Sequence, residues 1–242
     1  MRKIIINVLI LTCLLAIFLT PNVTLAETNI KTEQQHKEIF EKLKAEAEEA
    51  EINNLKEIDS IFNPIVEKNN IVQPNALVLS TRDAFKAGGL TLSKIGYPYT
   101  GALMVHSAQA KPSQLSFQKG SKISNSIKGS SVFKDRLKSF TSNLPKNGKY
   151  YSESGSFSLT SSNSSKDLYL ALHKVKYFMA AEKKNGVWTI YTNIADTYDF
   201  QYWNKGDAPN VFVQLANNYG ALAMESGEIN PFNVNVYIVN TK

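Results

Sequence analysis

The strongest constraint on the fold is a pair of β-rich runs within residues 168–200 that flank Asn185 and Gly186. Asn-Gly is a preferred pair for a two-residue type I′ turn, in which both central residues take positive φ. This turn predicts an antiparallel hairpin in which Val187 faces Lys184. Because a two-residue turn fixes the register, every later pair along the two strands follows from it.

The same register, continued without a β-bulge, predicts a polar cluster at the far end of the hairpin. Tyr198 then lies opposite His173, and Asp196, opposite Val175, is a diagonal neighbour of His173. Side chains alternate along a strand, so these polar groups share one face. An Asp and a His beside an apolar face can shift each other's pKa, which makes His173, Asp196 and Tyr198 the candidate catalytic residues. The face is expected to pack on the core because it also carries Val175, Tyr177, Met179, Ile190 and Ile194.

The chain after the hairpin predicts a helix and one more strand. Apolar residues recur at helical spacing between Pro209 and Gly227, and residues 232–239 alternate between apolar and mostly polar positions. The expected fold class is α+β: a small antiparallel sheet, made of hairpin 168–200 and C-terminal strand 232–239, with helices on one face. A long N-terminal amphipathic helix precedes it.

Residues 1–26 have the features of a bacterial signal peptide. Two basic residues precede an apolar run, and Thr24-Leu25-Ala26 offers small residues for cleavage before Glu27. An uncleaved signal anchor is the alternative. Cys13, the one cysteine, lies inside the apolar run rather than at its end, which argues against a lipoprotein. No later stretch is apolar enough to span a bilayer, so a secreted protein is expected.

The amino-acid composition indicates the kind of source organism and excludes several kinds of catalytic and metal site. Lysine outnumbers arginine 24 to 3, a usage typical of AT-rich, Gram-positive bacteria. After cleavage no cysteine remains, which excludes a thiol nucleophile and cysteine-based metal sites. The sequence contains no phosphate-binding loop, dinucleotide-binding or zinc-protease motif, so no cofactor and no metal is expected. Secretion and scarce arginine argue against nucleic acid as a partner.

Charge divides the chain after the signal peptide into two segments. Residues 27–70 carry 11 acidic and 6 basic residues, whereas residues 71–242 carry 10 acidic and 19 basic residues. The acidic segment predicts an amphipathic helix with the apolar positions Phe40, Leu43, Ala47, Ala50, Leu55, Ile58, Phe62 and Ile65. Three roles are open for it: a helix packed on the basic α+β domain 71–242, an inhibitory pro-segment, or a spacer.

The first half of the basic domain predicts several shorter elements. Residues 71–80 are expected to form a strand, residues 81–89 a helix that Gly88 and Gly89 end, and Pro98 begins a helix towards Gln109. A single helix is expected near residues 123–140, followed by a serine-rich loop with one short strand within residues 152–166.

The helix near residues 123–140 has a basic side opposite its apolar side. A solvated face is the ordinary explanation of such a run. The alternative is a binding surface for anionic lipid or a teichoic-acid-like polymer of the bacterial envelope. Its candidate binding residues are Lys122, Lys128, Lys134, Arg136 and Lys138.

The histidines and the DTYDF stretch (residues 196–200) also have structural explanations, and for His173 this is a hydrogen-bonded histidine within the core. His106 is expected in a buried helix and His36 on an exposed helical surface. Asp196 and Thr197 could satisfy backbone donors where a strand ends, with Tyr198 and Phe200 covering the edge of the core. Asp199 is expected in the turn that follows the strand.

DTYDF, followed by a helix and a G-x-x-N-P-F segment, resembles the C-terminal end of secreted, toxin-like bacterial domains. It is also similar to the D-x-Y-D segment of colicin M-type bacteriocins, which cleave the lipid carrier of peptidoglycan synthesis. Asp196, Tyr198 and Asp199 match that segment. The His-Arg that follows it in the family is missing, because Asn204-Lys205-Gly206 stands there. The catalytic residues of the family carry over to this chain only if His173, from across the hairpin, replaces the missing base.

Three functions are consistent with the sequence. The first is a secreted, bacteriocin-like toxin that acts at the envelope of target cells, for which an immunity protein encoded elsewhere is a possible partner. The second is a non-enzymatic protein that binds the cell envelope. The third is a secreted hydrolase that uses His173, Asp196 and Tyr198. Whether the chain is an enzyme therefore stays open at this point.

Overall fold

A computed structural model describes residues 31–52, 80–202, 204 and 211–242, of which residues 33–242 belong to one compact unit. These ranges contain seven helices and five strands. The helices are α1 Glu33–Ile52, α2 Thr81–Lys94, α3 Pro98–Ser107, α4 Lys122–Gly129, α5 Ser131–Ser142, α6 Lys166–Ala171 and α7 Val211–Glu225. The strands are β1 Leu115–Phe117, β2 Tyr150–Ser158, β3 Lys174–Lys184, β4 Val187–Tyr198 and β5 Phe232–Thr241.

The five strands form one mixed sheet in the order β1-β5-β4-β3-β2. Among the described strands, β1 pairs parallel with β5 and all other pairs are antiparallel. The α+β class, the central hairpin and the antiparallel C-terminal strand are therefore confirmed. The predicted helix after the hairpin is also confirmed, and Gly227 (φ 72°) lies just beyond its end.

The hairpin has the predicted turn and, over most of its length, the predicted register. Asn185 and Gly186 have φ of 51° and 83°, and pairs run without a bulge from Lys184–Val187 to Lys176–Ala195. The alternation is also as predicted, because the residues of the apolar face are buried in one core: Val175, Tyr177, Met179, Ile190, Ile194 and Tyr198.

The predicted pairing fails at the last positions of the hairpin. Asp196 does not pair with Val175, nor Tyr198 with His173; beyond Ala195, β4 pairs with β5 alone. Residues that were expected to begin the hairpin form helix α6 instead, since the Ser165 hydroxyl accepts a hydrogen bond from the Leu168 amide and caps this helix. β3 therefore begins at Lys174, and His173 precedes it.

Helices cover both faces of the sheet, whereas helices on one face were expected. On the main core face, residues of α3–α6 pack on the strands around Leu103, Ile127 and Phe133. On the opposite face lies α1, whose Phe40 ring contacts the rings of Tyr150 and Tyr191 at centroid distances of 5.9 and 5.5 Å. His36 of α1, expected to be exposed, is half-buried, and its Nδ1 accepts a hydrogen bond from the Ser152 amide.

Two predicted helix boundaries were wrong. Helix α2 continues through Gly88 and Gly89, because Gly89 lies against α3: a Cβ at this position would come within 2.6 Å of the Gly101 carbonyl oxygen. The glycines therefore allow two backbones to approach closely rather than ending a helix. The helix near residues 123–140 is two helices, since Ser130 has extended backbone and caps α5 through its side chain.

The serine-rich segment also differs from the prediction. β2 spans nine residues, and Asn163 closes the loop after it through a hydrogen bond from the Thr160 amide. The short strand β1 was not predicted. The predicted signal peptide, the strand at residues 71–80 and the helical positions from Leu55 to Ile65 lie outside the described residues, apart from Ser80.

Candidate functional site

A cleft of about 840 Å³ opens where β3 and β4 stop pairing. Its floor is the C-terminal end of β4 from Ala195 to Tyr198, and His173 and Lys174 lie where the chain enters β3. Apolar side chains form much of the remaining wall: Leu92, Met104, Leu170, Ala171, Phe200 and Ala216. All three predicted catalytic residues line this cleft, although the strand pairing that was expected to bring them together is absent.

Asp196 has the most strongly perturbed carboxyl that faces the cleft. Its side chain is half-buried on the apolar face of β4, and this desolvation raises its pKa to about 7. A hydrogen bond from the Thr197 amide opposes the shift, and the nearby charge of Asp199 adds to it. Near neutral pH both protonation states are populated, so Asp196 can accept or donate a proton.

His173 is the second proton-carrying group of the cleft. It is exposed between α6 and β3 rather than buried in the core, and its ring packs edge-on against the Tyr169 ring at 5.3 Å. Partial burial, followed by the charge of Lys174, lowers the pKa of the imidazole. The ring is therefore mostly neutral at pH 7, and a neutral imidazole can take up a proton.

Tyr198 lines the cleft as part of its buried wall. Its ring is 6% exposed and contacts the rings of Phe200 and Phe232 at 5.3 and 5.2 Å. Burial raises the pKa of the phenol, so the hydroxyl keeps its proton over the whole physiological range. A buried phenol held between two aromatic rings is suited to packing rather than to nucleophilic attack.

Charged side chains of both signs line the cleft besides Asp196. Asp199 is exposed and accepts a hydrogen bond from the Gln201 side-chain amide at 3.1 Å. Lys174 and Lys176 are exposed and line the cleft from β3. Alternation along β3 places both lysines on the face of the sheet opposite the buried face that carries Asp196, so an anionic group would meet the two ammonium groups on that face rather than beside the Asp196 carboxyl. An apolar group would meet the wall.

Asp167 positions the cleft from behind and was not singled out by the sequence. Its carboxylate accepts hydrogen bonds from the amides of Tyr99 and Thr100, both at 2.9 Å, and from the Thr100 hydroxyl at 2.8 Å. Asp167 thus caps α3 from α6 and fixes the helix that precedes His173. Only its position in the first turn of a short helix could have indicated it.

The predicted basic surface is separate from the cleft. Lys122 and Lys128 lie on α4, and Lys134, Arg136 and Lys138 lie on α5; all five side chains are exposed. None of them is among the described residues that line the cleft. Two helices rather than one carry the surface, with Ser130 between them.

Neither a metal cluster nor a membrane span is found in the described residues. No three His, Cys, Asp or Glu side chains there are grouped so that they could hold a metal ion. His106, which was expected in a buried helix, is buried in α3 and its Nε2 lies 2.8 Å from the Ser113 carbonyl oxygen. Within the same ranges, no helix has the length and apolar character to cross a membrane.

Comparison with known proteins finds similarity among solved structures only. No protein-family model and no curated protein sequence matches this chain. PaeM, a colicin M-like bacteriocin produced by Pseudomonas aeruginosa, is similar over 73% of this chain and 61% of its own, with 14% identity and a TM-score of 0.37. Truncated syringacin M from Pseudomonas syringae pv. tomato DC3000 is similar over 61% and 60%, with 16% identity and a TM-score of 0.29.

A second structure of syringacin M is similar over 61% of this chain and 52% of its own, with a TM-score of 0.30. The chain therefore spans less than two thirds of each bacteriocin. These TM-scores lie below 0.5 and the identities below 25%, a level at which the similarity establishes neither a shared topology nor a shared activity.

Proposed function

We propose that this protein is a secreted, bacteriocin-like toxin that acts at the envelope of target bacteria through hydrolysis in the Asp196 cleft. The observation that carries the proposal is the Asp196 carboxyl, which burial holds at a pKa of about 7 inside an open cleft. Groups whose pKa lies near the working pH are the effective general acids and bases. The D-x-Y-D pattern at Asp196, Tyr198 and Asp199 supports the same assignment.

In the proposed reaction, His173 and Asp196 each carry out one proton transfer. Neutral His173 accepts the proton of the attacking water, and protonated Asp196 donates a proton to the leaving oxygen as its bond breaks. Asp199 helps to keep Asp196 protonated. Lys174 and Lys176, on the opposite face of the strands, favour the approach of an anionic substrate, and the apolar wall accommodates its hydrocarbon part. A lipid-linked phosphate ester of the envelope has both of these parts.

The decisive variant is Asp196→Asn, which keeps the size of the side chain and removes its proton exchange. We expect killing of related bacteria to fall by at least about a hundredfold, the usual range for loss of a general acid or base. Thermal unfolding at pH 5 should stay cooperative, which separates lost chemistry from lost folding. Asp135→Asn, an exposed position on α5, is the matched control.

Retained killing by Asp196→Asn would contradict the enzymatic proposal. Membrane potential during killing gives a second criterion, because a hydrolase of envelope precursors leaves the potential intact at first. An immediate loss of potential would instead indicate direct damage to the membrane. An immunity protein in the producing strain would be expected to protect cells against the wild-type chain.

Envelope binding through the basic surface is a second candidate function, favoured by the exposure of all five basic residues on α4 and α5. Exposed lysines that neutralise a polyanion should bind it less tightly as salt increases. Binding to purified teichoic acid should therefore weaken steeply between low and physiological salt. Replacing Lys134, Arg136 and Lys138 with glutamine should remove most of this binding and leave hydrolysis in the cleft unchanged.

A further inference from the structure

A second, polar pocket adjoins the cleft on the face of the sheet that carries α1. It has a volume of about 500 Å³ and lies between the last turns of α1, strand β1 and the middle of β4 and β5. Gln114 and Asn235 line both this pocket and the cleft, so the two cavities are neighbours that share part of their walls.

The pocket is rich in hydrogen-bond acceptors and carries negative charge. Glu46 and Glu49 lie on adjacent turns of α1 and both line it. Tyr237, which also lines the pocket, donates its hydroxyl hydrogen bond to Glu46, and burial together with these two carboxylates raises the pKa of its phenol. The phenol proton is thus already used within the protein, and Glu46 also lies 3.8 Å from the Lys42 ammonium, so Glu49 is the main charged acceptor that the pocket offers to a ligand.

A buried amide oxygen supplies an observation that is independent of the acidic pair. Asn193 is 7% exposed and lines the pocket. Its Nδ2 donates to Asn235 Oδ1 at 3.2 Å, whereas its Oδ1 is buried and has no hydrogen-bond partner among the described residues. A buried acceptor without a donor has lost its hydrogen bonds to water and gained none in return, which is destabilising. A ligand that brings a donor to this point would remove that cost.

From this arrangement we propose that the pocket binds a primary ammonium group of a ligand whose apolar or anionic part occupies the Asp196 cleft. An ammonium group offers three donors and one positive charge, which match the Asn193 oxygen and the two carboxylates. The inference rests on the proposed function for the cleft and extends it: the substrate class is an amphiphile with an amine-bearing polar end.

The probe for this proposal is n-pentylammonium, with 1-pentanol as a neutral molecule of the same size and tail. The full-length chain is titrated with each at constant ionic strength, and the side-chain amide signals of Asn193 and Asn235 are followed by NMR. We expect saturable shifts of both signals with the amine and none with the alcohol. Glu49→Gln should weaken amine binding by roughly tenfold to a hundredfold, the range for loss of one hydrogen bond to a charged group.

Glu48→Gln is the matched control, since it removes the same charge at the next position of α1 but lies outside the pocket lining. Equal weakening by Glu48→Gln and Glu49→Gln would overturn the proposal, because it would indicate only a general attraction of cations. Equal binding of amine and alcohol would overturn it as well. Shifts produced by calcium ions but not by the amine would assign the pocket to a divalent cation instead.

The same titration separates this inference from the proposed function. Failure of the amine to bind the wild-type chain overturns the ammonium pocket whatever the killing assay shows. Killing by Asp196→Asn overturns the proposed hydrolysis even where the amine binds.

Discussion

The two ends of the β3–β4 hairpin differ in what determines their structure. At the turn, Asn185 and Gly186 take the positive φ that a two-residue turn requires, and the register follows from these two residues. At the cleft, the ladder ends at Lys176–Ala195, and β4 continues in contact with β5 alone. Local turn chemistry therefore sets the register, whereas packing of α6 and β5 decides where the strands separate.

The difference also assigns a different task to each end. The paired part of the hairpin, from the turn to Ala195, buries Ile190 and Ile194 in the main core and holds β4 in place. The separated end leaves Asp196 partly enclosed, with an apolar wall on one side and an opening on the other. A carboxyl acquires a pKa near 7 only in such surroundings, because full exposure would stabilise its charge. Four substitutions test this division, from the largest expected effect to the smallest.

Ile194→Ala should have the largest effect on stability. Ile194 is 1% exposed, and truncating it removes buried methyl groups and leaves a cavity. We expect the free energy of unfolding to fall by about 3 kcal/mol. Val187→Ala is the matched control on the same strand, because Val187 is 49% exposed at the turn end. Equal losses at both positions in urea unfolding would contradict the assignment of the core to the face that carries Ile194.

Asp196→Asn should change how stability depends on pH. The folded-state pKa of about 7 lies above the ordinary value for Asp, so the folded state binds this proton more tightly than the unfolded state. The resulting stabilisation is complete below about pH 4 and is lost as pH rises through about 7. It amounts to at most about 4 kcal/mol for a difference of about three pKa units.

The Asn variant should therefore match the wild type at pH 4 and exceed its stability by roughly 2–4 kcal/mol at pH 8. Unfolding in urea at several pH values measures this directly, with Asp135→Asn as the exposed control. A parallel pH profile for the variant and the wild type would show that Asp196 is not desolvated. If the variant is more stable than the wild type but no longer kills, Asp196 is a residue that serves function and destabilises the fold.

Much of the fold was predictable because the deciding interactions are local. Asn185-Gly186 fixed the turn, and strict alternation placed Phe232, Val234, Val236 and Ile238 on one face of β5. The errors have tertiary causes. Gly88-Gly89 taken alone predicts the end of a helix. In the fold, Gly89 instead lies inside α2, where the lack of a Cβ lets α3 pack closely against it. β1 has three residues, too few for a periodic signal, and depends on pairing with β5.

The sequence identified residues that line the candidate site, but it did not predict how the fold brings them together. The alternation of side chains along β4 predicted that Asp196 and Tyr198 share the apolar face, and both line the cleft. His173 reaches the cleft by a different route, from the loop between α6 and β3, which depends on Asp167 capping α3. The polar pocket could not be foreseen, because it joins residues from α1, β4 and β5 that only the packing of α1 brings together.

Gly186→Ala tests the local control of the turn. The φ of Gly186 is 83°, a conformation that costs a residue with a Cβ roughly 1–2 kcal/mol. We expect a loss of this size in thermal or urea unfolding, with the cleft unaffected, so killing should stay at the wild-type level. Gly129→Ala is the control, since Gly129 ends α4 and a Cβ there meets nothing within 4 Å. A larger loss of killing than of stability would mean that the turn end also contributes to the site.

Tyr198→Phe should have the smallest effect, and it separates a wall from a catalytic group. The ring contacts with Phe200 and Phe232 persist in the variant, and only the hydroxyl is lost. Because burial keeps that hydroxyl protonated, we expect a change of less than about 1 kcal/mol in unfolding and no change in killing. A fall in killing of a hundredfold or more, with unfolding unchanged, would instead place the Tyr198 hydroxyl among the reacting groups. In that case the cleft end of β4 would supply two residues to catalysis, and the D-x-Y-D pattern would be functional at its central tyrosine as well as at Asp196.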